Sequence, residues 1–121
     1  ALHALVAESA WSGRDAARVA RTQAIARQAV KVTVVADRLL ADAGTLESPA
    51  WIAFLVEHEA SPPFDAGAPT VVLDRVQDAG NVGSILRSAA AFGFRQAIAL
   101  EGTASLWSPK VLRAAMGAHA A

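Results

Sequence analysis

Apolar residues fall into short continuous runs, separated by stretches in which they recur every three or four positions. Leu2 to Ala7 is apolar apart from His3 and reads as a strand. Trp11-Ser12-Gly13 then opens a helix, with Ser12 as its N-cap and Asp15 in a first turn that favours negative charge. On a 3.6-residue wheel Ala16, Val19, Ala20, Ala24 and Val30 share one broad face. Arg14, Arg18 and Arg21 line the other, with Gln28 nearby. Such a row is either a solvated helix face or a stripe that meets phosphate. Lys31–Val35 is rich in β-branched residues and predicts a second strand. Asp37 caps a short helix, Arg38 to Ala43, that Gly44 ends. Trp51–Val56 is the most apolar run of the first half and suits a buried strand, with Trp51 in the core.

The texture changes at Glu57. Through Pro69 the chain carries three prolines, a glycine and three acids, which can continue neither a helix nor a strand. This stretch reads as a linker between two domains, or as a loop over the surface. Thr70–Leu73 is the next strand, followed by a polar loop from Asp74 to Gly80. Asn81 caps a helix over Val82–Phe92, with Val82, Ile85, Leu86, Ala89 and Phe92 on its apolar face. Ser84, Arg87, Ser88 and Ala91 share the opposite one. Gly93 ends it, and Gln96–Leu100 is another strand. After a loop from Glu101 to Trp107, Ser108 and Pro109 supply an N-cap and a first-turn proline for a helix over Ser108–Ala118. Strand, loop, helix, strand, loop, helix is the grammar of an α/β fold with a parallel sheet. The first 56 residues follow the same alternation.

Composition removes whole classes of function. A 121-residue chain that is 54% hydrophobic and 18% charged can fill a core and is not intrinsically disordered. It has no cysteine, so disulfides and thiolate metal sites are excluded. His3, His58 and His119 are far apart, and no short metal motif exists. No run of 18 apolar residues could form an ordinary transmembrane helix. Net charge is zero, but residues 1–36 carry +3, residues 37–65 carry −5 and residues 66–121 carry +2. A local basic face can bind phosphate under a neutral total.

The chemistry concentrates in Leu73-Asp-Arg-Val-Gln-Asp-Ala-Gly-Asn-Val-Gly-Ser-Ile-Leu-Arg-Ser-Ala-Ala-Ala-Phe-Gly93. It follows a strand, so its loop lies at the carboxyl edge of the sheet, where α/β folds bind ligands. Gly80 and Gly83 allow close approach by a ligand or another backbone. Arg87, on the side away from the core, could hold a phosphate with its planar fork. A dinucleotide site is disfavoured: Gly80-Asn-Val-Gly83 lacks the G-x-G-x-x-G spacing, and no Walker lysine follows.

This stretch, followed fifteen residues later by Ser108-Pro-Lys-Val-Leu-Arg-Ala-Ala-Met-Gly-Ala118, closely resembles the SpoU (TrmH-like) family of RNA ribose 2′-O-methyltransferases, within the SPOUT class. The resemblance covers residues 71–118. Ala79 stands where the family's first motif usually has proline, and Ala115 where serine is common. More loosely, residues 1–57 resemble the L30e-like RNA-binding domain that precedes many such catalytic domains. The implied layout is an L30e-like domain at 1–57, a linker at 58–69 and the N-terminal part of a trefoil-knotted SPOUT domain at 70–121.

The resemblance implies S-adenosylmethionine-dependent methylation of a ribose 2′-hydroxyl, most simply in ribosomal RNA. The alternatives are transfer RNA as substrate, or a non-catalytic RNA-binding or assembly protein of the same fold. It assigns catalysis to Arg87 and Asn81, and RNA contact to Ser84, Lys110 and Arg113, with Arg14, Arg18 and Arg21 as the stripe of the first domain. It also implies a cytoplasmic homodimer packed through Val111, Leu112, Ala115 and Met116, with no metal and no membrane. Deprotonating an arginine at neutral pH costs roughly 7–9 kcal/mol, so Arg87 is better read as a cation that anchors phosphate and steadies a nascent alkoxide. Trp107 is the better base-stacking candidate, and His119 a strand-edge side chain. The family's third motif, with Asn-Glu-Gly and Ser-Leu-Asn-Val segments, has no counterpart before Ala121. In the family most of the adenosylmethionine pocket belongs to that part, so the resemblance leads us to expect a fragment, or the ordered part, of a longer protein, inactive by itself.

Overall fold

The computed structural model describes residues 2–44, 50–58 and 60–121, which form two compact units, Ala1–Ser61 and Pro62–Ala121. In the first unit, β1 (His3–Ala7) is the central strand of three. It pairs in parallel with β2 (Lys31–Val35), from His3 opposite Lys31 to Ala7 opposite Val35. A parallel neighbour requires a crossover, which α1 (Glu8–Ser12) and α2 (Ala16–Ala26) supply. The other neighbour, β3 (Ile52–Leu55), runs antiparallel to β1, so this sheet is mixed. Between β2 and β3 lies α3 (Asp37–Ala43), which Gly44 terminates. Ala4, Val6, Ala7, Ala10, Ala26 and Leu40 are the buried core.

Four local expectations change in this unit, the first being Asp37, which lies inside α3 behind Ala36 as N-cap and makes no side-chain capping bond. Ser12 ends a helix and does not begin one. Its hydroxyl turns back to the Glu8 carbonyl, while Asp15 caps α2 by accepting from the Arg18 N–H at 3.1 Å. A carboxylate accepts such a bond more strongly than a hydroxyl, and the helix starts where the charge is. That start sets the buried face at Thr22 and Ala26, leaves Ala16, Ala20 and Ala24 exposed, and puts Val30 beyond the helix in solvent. Small alanines bury too little surface to orient a helix by themselves. Finally, β3 is an edge strand: Trp51 just before it is 42% exposed and Leu55 is 55% exposed. With a neighbour on one side only, an apolar run need not be buried.

The second unit begins inside the proline-rich stretch. Gln96 clamps Asp65, accepting from its backbone N–H at 2.9 Å and donating to its carbonyl and to the Thr70 hydroxyl. Part of the expected linker is therefore folded onto the strand pair. β4 (Thr70–Leu73) and β5 (Gln96–Ala99) are parallel, joined by the crossover helix α4 (Ala79–Ala91). The helix α5 (Pro109–Ala115) follows, with Ser108 as N-cap and Pro109 at its first position. Leu73, Val82 and Val111 are buried between these elements, packed by Val71, Val76, Ile85, Leu86 and Leu106. No helix of the described residues is long and apolar enough to cross a membrane.

Here too the caps differ from expectation. Asp78 caps α4, accepting from the Asn81 N–H at 2.7 Å, so Asn81 lies inside the first turn. Phe92 is the C-cap, outside the helical wheel, and is 83% exposed. α5 stops three residues before Ala118, because Met116 takes a left-handed conformation (φ 52°, ψ 39°) and Gly117 follows at φ 91°. His119 consequently sits in a 3₁₀ turn, Ala118–Ala120, and not on a strand edge. Its Nε2 meets the Leu106 carbonyl at 2.6 Å, so Nε2 carries the proton, and its ring lies 4.9 Å from that of Trp107.

Candidate functional site

The loop after β4 is held at the carboxyl edge of the strands from both sides. The Leu100 N–H and the Thr103 hydroxyl both donate to the Leu73 carbonyl, and the Ala104 N–H donates to that of Val76. This fixes where α4 begins. α4 and α5 then cross in close contact at Gly83, whose missing side chain makes the crossing possible. A Cβ there would lie 2.4 Å from the Ala114 Cβ and 2.8 Å from the Ala115 nitrogen. Of the two reasons for a glycine at this place, backbone approach is the one realised.

The crossing brings three cations into one cleft. Gly80 and Arg87 are two helical turns apart and therefore on one side of α4. Lys110, Arg113 and Ala114 share a side of α5 at spacings of three and four. Together with Met116 they line an open cleft of about 480 Å³. No acid contributes to that lining, so the cleft suits an anion, and guanidinium forks suit phosphate oxygens. Of this lining, Ala114 was not singled out in the sequence, whereas Gly80 was read as a point of close approach and Met116 as a dimer contact.

The remaining residues of interest go elsewhere. Asn81 is exposed in the first turn of α4 and is not part of the cationic lining. Ser84 lines a separate, mostly apolar cavity with Val71, Ile85, Ser88, Ala89, Phe92 and Phe94. In the first unit, Arg14 precedes the Asp15 cap and lies outside α2. Arg21 is exposed on that helix, and Arg18 is turned over Trp51 with its Cζ 4.2 Å from the ring centroid. Trp51, expected in the core, is thus an accessible aromatic, and Trp107 is engaged by the His119 ring. No group of three or more potential metal ligands occurs among the described residues.

The clearest displaced titration lies in the first unit, where the Ser9 side chain and then its backbone N–H, donating at 3.0 Å, hold the Asp37 carboxyl below its usual range. The hydroxyl adds to this pull without a hydrogen bond of good geometry.

Two parallel strands joined by a crossover helix, with a cleft lined by three cations where two helices cross, define the second unit as an α/β module. Residues 68–121, a little under half of the chain, match the SpoU rRNA Methylase family model. The chain is 54% identical over 50 residues to rRNA methyltransferase 3B, mitochondrial, of Danio rerio, a match covering 41% of this chain and 11% of that protein. To the 23S rRNA (guanosine(2553)-2′-O)-methyltransferase RlmP of Bacillus subtilis it is 36% identical over 73 residues, covering 60% and 29% respectively. Among solved structures, the SpoU methyltransferase AviRb from Streptomyces viridochromogenes, in complex with AdoMet, superposes with a TM-score of 0.75 at 28% identity. That match covers 97% of this chain and 44% of that one. The chain thus spans under half the length of each of these relatives, and under a third of the two curated ones.

Proposed function

We propose that this chain is the RNA-facing part of an S-adenosylmethionine-dependent ribose 2′-O-methyltransferase that acts on ribosomal RNA. The observation that carries the reading is the meeting of Arg87, Lys110 and Arg113 in one cleft within the SpoU segment. Arg87 acts there as a permanent cation. It holds a backbone phosphate next to the reacting ribose and stabilises negative charge developing on the 2′-oxygen. Lys110 and Arg113 fix the register of the strand, and Asn81 orients the loop or the ribose from the start of α4. Ser84 would contact RNA from the adjoining face.

The cleft does not fit the cofactor itself. S-adenosylmethionine carries a sulfonium cation, which three uncompensated cations would repel. The methyl donor must be held by other residues, and no step through it is derived from these.

The first unit, L30e-like over residues 1–57, would present RNA through Arg14, Arg18 and Arg21, with residues 58–69 as its connection. The whole protein is a homodimer in this reading. Val111 and Ala115 are completely buried within the unit, so contacts through α5 would fall to Leu112 and Met116, 39% and 71% exposed. Such an enzyme works where ribosomal RNA is: in the cytoplasm, or in the mitochondrion that the Danio rerio relative's name records.

The test is labelled methyl incorporation into ribosomal RNA by the full reading frame, with and without Arg87→Ala. The exposed Arg87 makes no packing contact worth more than about 0.5 kcal/mol, so melting should be unchanged while methyl transfer is largely lost. Full activity in a well-folded Arg87→Ala protein would refute the assignment.

A further inference from the structure

The first unit holds an aromatic and a guanidinium in an arrangement that its packing does not require. Trp51 stands at the mouth of edge strand β3, 42% exposed, with its carbonyl accepting from the Ala7 N–H at 2.9 Å. Arg18 lies over the indole at 4.2 Å, well within cation–π range. The guanidinium is held a second time, from its edge, by Asp15 at 3.6 Å. That same carboxylate caps α2, so helix start, ion pair and stack share one anchor. The Arg18 side chain is still 41% exposed, so the stacked pair is not closed off from solvent.

We propose that Arg18, backed by Trp51, is a stacking platform for one unstacked base of single-stranded RNA. Bases stack on guanidinium planes as they do on aromatic rings, and an indole beneath keeps the plane from tilting. The charge around it matches a polyanion. Residues 14–31 carry five cations and one acid, and the acid, Asp15, is already engaged by the cap and by Arg18. Arg21, one turn further along α2 and exposed, is placed to take a phosphate flanking the stacked base. The platform rests on RNA being the partner. It adds a second contact of a different kind, base recognition by a planar stack in the first unit beside phosphate anchoring in the second.

The probe is single-stranded oligoadenylate of about ten nucleotides, a length typical of such sites, alongside an abasic strand of equal length. Binding is followed by fluorescence anisotropy over a range of salt concentrations, using the whole chain. Arg18→Lys keeps the charge and removes the plane. Trp51→Leu removes the support. Each should weaken oligoadenylate binding about fivefold or more with the salt slope unchanged, because no phosphate contact is lost. Arg21→Gln should instead lower the slope by about one unit. On the abasic strand, Arg18→Lys and wild type should bind equally. Because Trp51→Leu alters the residue that leads into β3, melting is measured in parallel, and Arg18→Lys decides if that variant unfolds.

Equal affinity of Arg18→Lys and wild type for oligoadenylate would overturn the platform. If the double variant Arg87→Gln with Lys110→Gln abolished binding while Arg18→Lys left it intact, the RNA reading would stand and the platform alone would fall. If wild type bound neither strand, both would fall.

Discussion

Gly83 shows how far one residue's meaning depends on its neighbours. Replacing it with alanine raises helix propensity by about 1 kcal/mol, which in an isolated helix would stabilise. Here the new methyl would lie 2.4 Å from the Ala114 Cβ, and α4 and α5 would have to separate. Overpacking of this kind costs about 1–3 kcal/mol, and at such a distance the upper part of that range applies. Gly83→Ala is therefore expected to lower the melting temperature and weaken anion binding in the cleft, since Arg87 and Lys110 come from the two separated helices. Thermal melting with a phosphate titration measures both. A glycine placed for close approach was legible in the sequence. Whether ligand or backbone would approach was not, because the answer lies on a helix some thirty residues away.

At the scale of elements, the helix starts carry the lesson. Ser12 and Asn81 are good caps by type, yet Asp15 and Asp78, each three residues from the expected position, hold those roles. In both cases a carboxylate prevails over a neutral oxygen, as the helix dipole and charge-assisted bonding favour. Asp78→Ala should cost about 1 kcal/mol in urea denaturation, with the slope against urea unchanged. Asn81→Ala should cost distinctly less, because Asn81 contributes its backbone N–H to the cap and keeps it in the variant. Strand positions were well marked by β-branched runs. The burial of β3 was not, since an apolar run says nothing about how many neighbours a strand will have.

At the scale of the whole molecule, stability against acid has one visible contributor among the described residues of the first unit. Asp37 is held below its usual range by Ser9, which ties α3 to α1. A carboxyl depressed in the folded state binds protons less readily there than in the unfolded chain. Its contribution is thus complete above the unfolded value and is lost as pH falls through the folded one. Asp37→Asn should be less stable than wild type at neutral pH, and the difference should close as pH drops below the ordinary aspartate range. Melting curves against pH test this, and a gap that stayed constant down to the lowest pH would contradict it.

Legible in the amino-acid order alone were the alternation of strands and helices, the two ordered motifs at Leu73–Gly93 and Ser108–Ala118, and the presence of Arg87, Lys110 and Arg113 within them. These follow from local periodicity, turn chemistry and residue type, all of which act over a few positions. Tertiary structure decided which cations meet. It brought Arg87 to Lys110 and Arg113 and left Ser84 lining another cavity. It also turned Arg18 over Trp51 and made β3 antiparallel. The physical reason is common to these cases: each depends on where a distant segment packs, and helix crossings are set by steric fit at single residues such as Gly83.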